Sequence, residues 1–211
     1  MSARPASARP SVRPRTALLT TPLATALAVA GAVALTACDS GTSDGRADRP
    51  AGFVQGKDGT ATVPAADRTR APDLSGSTTR GASLDVSRYR GGVVVLNVWS
   101  STCGPCIAEA PALAKVARST RSKGVRFVGI NTGDTGTTQA TSFEKQHAMP
   151  YPSLFDPAGK LLLRFPKGVL NPQFVPATIV LDKQGRPAAR AIGSVGEDTL
   201  RAMIAPLLKE K

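Results

Sequence analysis

The chain has 211 residues, 41% hydrophobic and 4% aromatic, with 27 Lys and Arg against 15 Asp and Glu for a formal charge of +12. That length suits one domain plus extensions, with apolar material for a single core. The basic residues are scattered and do not alternate with aromatics, which argues against a nucleic-acid surface. The three cysteines, at 38, 103 and 106, leave none over for a separate structural disulfide.

Residues 1–16 are polar, basic and Pro-rich, and residues 17–37 carry no charge. This is the pattern of an n-region followed by an h-region. An uncleaved membrane helix competes with it, since about 20 apolar residues span a bilayer. Thr residues and Pro22 dilute the early part, however, and the segment ends in Leu35-Thr36-Ala37-Cys38. That tetrapeptide resembles the bacterial lipobox, in which small residues precede a cysteine that is acylated and becomes the new N-terminus. The resemblance implies a lipoprotein signal peptide over 1–37, a lipid anchor on Cys38, and a place on the extracytoplasmic side of the cell membrane. Loss of Arg4, Arg9, Arg13 and Arg15 takes the charge to about +8, expected to form a solvated basic surface beside anionic lipid. Residues 38–69, rich in Gly, Asp, Ser and Thr, read as a flexible tether.

The globular domain is expected over 70–211. A turn or hairpin follows residues 71–74, and 83–89 suits one helical turn closed by Gly91-Gly92. Residues 93–99 (VVVLNVW) form an uninterrupted apolar run, the mark of a strand buried on both faces. A helix is expected over 104–121, with Pro111 placed to kink it. A second buried strand follows at 125–131, giving a strand–helix–strand unit with parallel strands. Further elements are a helix over 137–148, an extended piece near 150–156, and a segment at 161–165 open between helical turn and strand. Last come a strand at 177–181, a turn at 183–186, an antiparallel partner at 187–192 and a helix at 197–209. That helix is expected to carry Leu200, Ile204, Leu207 and Leu208 on one face, with Pro206 interrupting its last turn. The order fits an α/β fold with a central mixed sheet flanked by helices on both faces.

Cys103 and Cys106 follow a buried strand and open a helix. Zinc would need four ligands, and His147 is the only histidine. A structural disulfide across two residues removes little chain entropy. Redox chemistry remains, and helix position supports it. Free N–H groups and the positive end of the helix dipole stabilise a thiolate at Cys103, the attacking nucleophile. Cys106, one turn in, is the resolving thiol. Pro105 pre-sets helical φ, and Gly104 leaves room for a substrate chain.

The block 97–111 (NVWSSTCGPCIAEAP) resembles the active-site segment of the TlpA/ResA-like thiol–disulfide oxidoreductases. Residues 174–185 (FVPATIVLDKQG) resemble the family segment in which a cis-proline faces the cysteines. The resemblance covers roughly residues 70–210 and implies a thioredoxin-like fold with a helix inserted after the second core strand. It matches Pro176 to the cis-proline and Val175 to the residue whose backbone meets substrate. Trp99 joins them in the substrate-binding set, as site support more than direct contact. Glu109 matches the family carboxylate; lying at i+3 from Cys106, it shares that helix face and is placed to relay a proton. The sequence departs from the family at Thr102, where an aromatic is usual before the first cysteine, which leaves partner choice open.

The expected function is therefore a protein-disulfide reductase, since Gly-Pro between the cysteines resembles thioredoxin, which is reducing at roughly −270 mV. Electrons would come from a membrane thiol carrier. The substrates would be protein thiols and disulfides, with apocytochrome c a possible case by analogy with the ResA-like branch. No metal, cofactor or nucleic acid is expected, and the chain is expected to be a monomer. A Sco-like copper chaperone is the alternative from the binding class, although such proteins have three residues between their cysteines and a late histidine, where this chain has two between Cys103 and Cys106 and His147 precedes Val175-Pro176. A peroxiredoxin-like antioxidant is the other, and no peroxide-activating pattern precedes Cys103. Asp134 and Asp156 read as turn residues, and Phe127 and Phe143 as core.

Overall fold

A computed structural model describes residues 52–56 and 59–210. The expected signal peptide and the Cys38 anchor lie outside these residues. A seven-stranded mixed sheet runs in the order β1 (Val54–Gln55), β2 (Thr60–Thr62), β9 (Pro187–Ile192), β8 (Ala177–Leu181), β5 (Val93–Trp99), β6 (Val125–Asn131), β7 (Ser153–Phe155). β5, β6 and β7 are parallel, and the other pairs are antiparallel. β3 (Ser75–Ser77) and β4 (Ser83–Asp85) form a separate hairpin. The helices are α1 (Gly104–Thr120), α2 (Thr137–Gln146) and α3 (Glu197–Lys209).

All seven residues of β5 are buried, as its unbroken apolar run requires of a central strand. Alternation along the strand divides the core. Val93, Val95 and Trp99 join one cluster with Leu113 and Val116 of α1, Phe143 of α2, and Leu200 and Ile204 of α3. Val94, Leu96 and Val98 join the other, covered by Phe53, Leu74, Leu84, Leu162 and Phe165. Helix thus covers both faces, though unequally. The three α-helices share one face: α1 and α2 by successive right-handed crossovers between parallel strands, and α3 by packing beside them after β9. The opposite face carries short 3₁₀ helices at Val86–Tyr89 and Leu162–Arg164, the β3–β4 hairpin and the N-terminal segment.

Order begins earlier than residue 70, within the stretch expected as tether. β2 pairs with β9, and Phe53, Ala61 and Val63 are buried. Arg68 secures this stretch by pairing with Asp182 at 3.2 Å and Glu210 at 2.7 Å. The signal was faint because Thr-Ala-Thr on a sheet flank buries only its alanine. The 161–165 ambiguity resolves as the 3₁₀ turn, and the helix expected at 83–89 is half strand and half 3₁₀. α1 and α3 run through Pro111 and Pro206, both exposed.

Candidate redox site

β5 delivers the chain to the head of α1, and the cysteines sit at that junction. Cys103 is the N-cap residue of α1, where its Sγ accepts the Cys106 N–H at 3.2 Å. An N–H and the positive helix end both favour negative charge on that sulfur. Cys103 and Cys106 are joined as a disulfide. Cys103 is partly exposed and Cys106 is 1% exposed, so only the first sulfur is open to attack. No atom would come within 4 Å of a Cβ at Gly104, which leaves the approach beside Cys103 clear.

Across from the pair, the Val175–Pro176 peptide is cis, and the Val175 carbonyl oxygen lies 3.7 Å from Cys103 Sγ. Val175 is half-buried and Pro176 buried. The Val175 backbone borders the Cys103 sulfur. Trp99 is 1% exposed, stacks on Phe143 at 4.6 Å between ring centroids, and donates its indole N–H to Ser153 Oγ at 3.3 Å. It supports the site from the core and is not a substrate contact.

Glu109 is 3% exposed on the buried face of α1. Its two oxygens accept the Asn97 Nδ2–H at 2.8 Å and the Val195 backbone N–H at 2.9 Å. Burial lifts its carboxyl from 4.5 to about 7, against the two hydrogen bonds, which pull it down. A buried acid that titrates near neutrality, one turn beyond Cys106, can hold or release a proton during exchange. Nearby burial, with the charges of Glu109 and Glu144, pushes the Tyr151 phenol above its usual range. The Tyr151 hydroxyl is buried without a hydrogen-bond partner among the described residues.

Several residues of the site were not singled out in the sequence. Asp134, read as a turn residue, is 4% exposed and accepts from Ser100 Oγ, Ser101 Oγ and Asn131 Nδ2 at 2.8–2.9 Å, and from Ser101 N at 3.2 Å. It fixes the loop that leads into Cys103. Ser194 Oγ donates to the Pro105 carbonyl at 3.0 Å, and Gly193 N to the Pro176 carbonyl at 2.9 Å. The β9–α3 loop therefore touches the cysteine turn, the cis-proline and Glu109 together. Phe174 is 55% exposed beside Val175, and Ile107 is 44% exposed on α1. His147 packs its ring 4.4 Å from Phe143 at the end of α2.

This geometry has counterparts. The family model described as Redoxin matches residues 65–204. The chain belongs to the Redoxin family. Among curated Redoxin relatives, it is 35% identical over 125 residues to the thiol:disulfide interchange protein HelX of Rhodobacter capsulatus, covering 59% of this chain and 65% of HelX. It is 24% identical over 134 residues to the thiol-disulfide oxidoreductase ResA of Bacillus cereus, covering 64% and 74%. A secreted thiol-disulfide isomerase from Corynebacterium glutamicum superposes with a TM-score of 0.68 at 30% identity, over 74% of this chain and 97% of that one. The thioredoxin-like fold expected from the sequence is the fold observed.

Proposed function

We propose that this Redoxin-family protein is an extracytoplasmic, membrane-tethered thiol–disulfide oxidoreductase that reduces protein disulfides. Its class as a thiol–disulfide oxidoreductase rests on the family and on the Cys103–Cys106 disulfide at the head of α1. One observation carries the roles: Cys103 is the accessible sulfur, held between the Cys106 N–H and the Val175 carbonyl, while Cys106 and Glu109 lie buried behind it.

In the reducing direction, the Cys103 thiolate attacks one sulfur of a substrate disulfide, and the other sulfur leaves as a thiolate. Glu109 accepts the Cys106 proton, and the Cys106 sulfur attacks Cys103 Sγ. The Cys103–substrate bond breaks, the substrate leaves reduced, and the enzyme is left with the internal disulfide. A thiol carrier in the membrane then restores the dithiol. No cofactor beyond the cysteine pair is required.

The extracytoplasmic tether is supported by the basic residues 1–16, the uncharged 17–37 and the lipobox-like approach to Cys38, together with the similarity to a secreted Corynebacterium protein. Among the described residues no helix is long and apolar enough to cross a membrane. Maturation of c-type cytochromes is the substrate context that the ResA-like resemblance favours. A Cys106→Ala chain expressed in its host should accumulate mixed disulfides through Cys103, while Cys103→Ala/Cys106→Ala should capture none. Equal capture by both variants would overturn the assigned roles, and reduction of the trapped adducts identifies the substrates.

A further inference from the structure

The strand directions give the molecule two chemically different poles. β5 and β6 run toward the redox site, α1 runs back from it, and β8 and β9 meet in a turn at the far end. The surface of the redox pole carries no charge around Cys103, where Thr102, Gly104, Pro105, Ile107, Phe174 and Ser194 are exposed. The far pole is cationic. Arg88 and Arg90 precede β5, Arg118 and Arg121 close α1, and Lys123 and Arg126 flank the start of β6; all six are exposed.

Four acidic side chains near this pole are already engaged, while Asp73 is exposed beside Arg90. Asp182 is 1% exposed and paired with Arg68 and Arg186, and Glu210 is paired with Arg68. Glu144 is 1% exposed and held by Thr79 and Arg80. Asp85 accepts the Ser87 N–H and feels the charges of Arg90 and Arg88. Between the cations lies a cleft of about 230 Å³, lined by Arg118, Arg121 and Arg126 and by the apolar surfaces of Tyr89, Phe127 and Pro150. Two guanidinium groups are set in place by backbone carbonyls. Arg126 Nη1 donates to Arg121 O at 2.9 Å, and Arg118 Nη2 donates to Ala148 O. Each keeps further N–H donors for an anion.

We propose that this pole docks on anionic phospholipid, with a headgroup phosphate in the cleft between Arg118, Arg121 and Arg126. Cations around an apolar-walled cleft match a phosphate carried on a glycerol backbone, and clustered Lys and Arg gain about 1 kcal/mol each, or about five-fold in affinity, near an anionic bilayer. Docking there turns the uncharged redox pole outward, toward protein partners. The proposal rests on the membrane-side location argued above, but exchange chemistry does not enter its test.

The test is amide hydrogen exchange on the full chain reconstituted in vesicles, either phosphatidylcholine alone or rich in phosphatidylglycerol. Residues 86–92 and 118–126 should exchange several-fold more slowly on the anionic vesicles, and residues 100–107 and 171–176 equally on both. High salt should abolish the difference. So should Arg121→Glu/Lys123→Glu, whereas Lys160→Glu/Lys167→Glu, an equal charge change in the β7–β8 loop, should preserve it. Three results overturn the proposal: no lipid-dependent protection, protection at the redox pole instead, or equal loss in both charge variants. Exchange between the chain and a small soluble dithiol, measured alongside, separates failure of this surface from failure of the redox function.

Discussion

Replacing Glu109 by Gln isolates the free energy of one buried carboxyl. An acid lifted from 4.5 to about 7 by folding is neutral in both states at low pH. As pH rises past 4.5, the unfolded chain ionises while the folded one keeps its proton, so the native state binds more protons and stability falls until about pH 7. The full loss is about 3 kcal/mol, from about 1.4 kcal/mol per unit. Gln keeps the shape but cannot accept from both Asn97 Nδ2 and Val195 N, so one hydrogen bond is lost at every pH, about 1–2 kcal/mol. The difference between the two proteins should therefore change sign. The variant should be weaker below pH 4.5 and stronger above pH 7. Urea unfolding of the oxidised forms measures this cleanly, because disulfide-bonded cysteines do not titrate and the other groups cancel in the comparison. A difference that stays constant through the window refutes the reading of Glu109 as a neutral-range acid. In the reduced enzyme, the rate at which Cys106 resolves a mixed disulfide should rise through about pH 7 in the wild type and lose that inflection in the variant.

Asp134→Ala removes the acceptor for Ser100, Ser101 and Asn131. It should cost about 2 kcal/mol in urea unfolding and slow attack by Cys103 on a disulfide, read by stopped-flow, because the loop before it is released. Gly129→Ala would place a Cβ 2.3 Å from Ser153 Oγ and 2.6 Å from Trp99 Nε1; thermal unfolding should show a loss of about 1–3 kcal/mol, and an unchanged midpoint would mean that the Trp99 packing is misread. Phe174→Ser should lower kcat/KM for an unfolded protein disulfide several-fold, by about 1–2 kcal/mol of lost apolar contact, while leaving reduction of a small soluble disulfide unaltered.

What the sequence disclosed and what it withheld follow from the range of the interactions. β5 and β6 were legible because short runs dominated by apolar and β-branched residues permit no other economical burial, and the observed bounds coincide with the expected ones. The cysteine pair and Pro176 were legible because their local segments are distinctive. Glu109 was placed on the correct helix face by i,i+3 spacing, but its partners Asn97 and Val195 lie 12 and 86 residues away, and no local pattern announces them. Asp134 is the sharper case. An Asp between Gly133 and Thr135 carries the composition of any turn, and only the parallel pairing of β5 with β6 brings it under Ser100 and Ser101. β2 escaped notice for the opposite reason: it is held by pairing with β9 and by Arg68, not by apolar content of its own.

Thr102 gains a different meaning from these distant contacts. The sequence left the position before Cys103 without its usual aromatic, so the partner surface looked depleted. Instead Thr102 Oγ1 lies 3.3 Å from Ser100 Oγ, which donates to Asp134 at 2.9 Å. The loop is thus fixed by polar bonds where a ring would otherwise pack. The exposed aromatic is supplied from the other side of the sulfur, by Phe174 on the cis-proline loop. Phe174 and Val175 are adjacent on that loop, and Val175 sets its carbonyl against Cys103, so apolar contact and backbone contact with a bound chain would come from one segment. On the proposed function, partner choice would be written mainly in the cis-proline loop, and the loop before Cys103 would hold that sulfur in place.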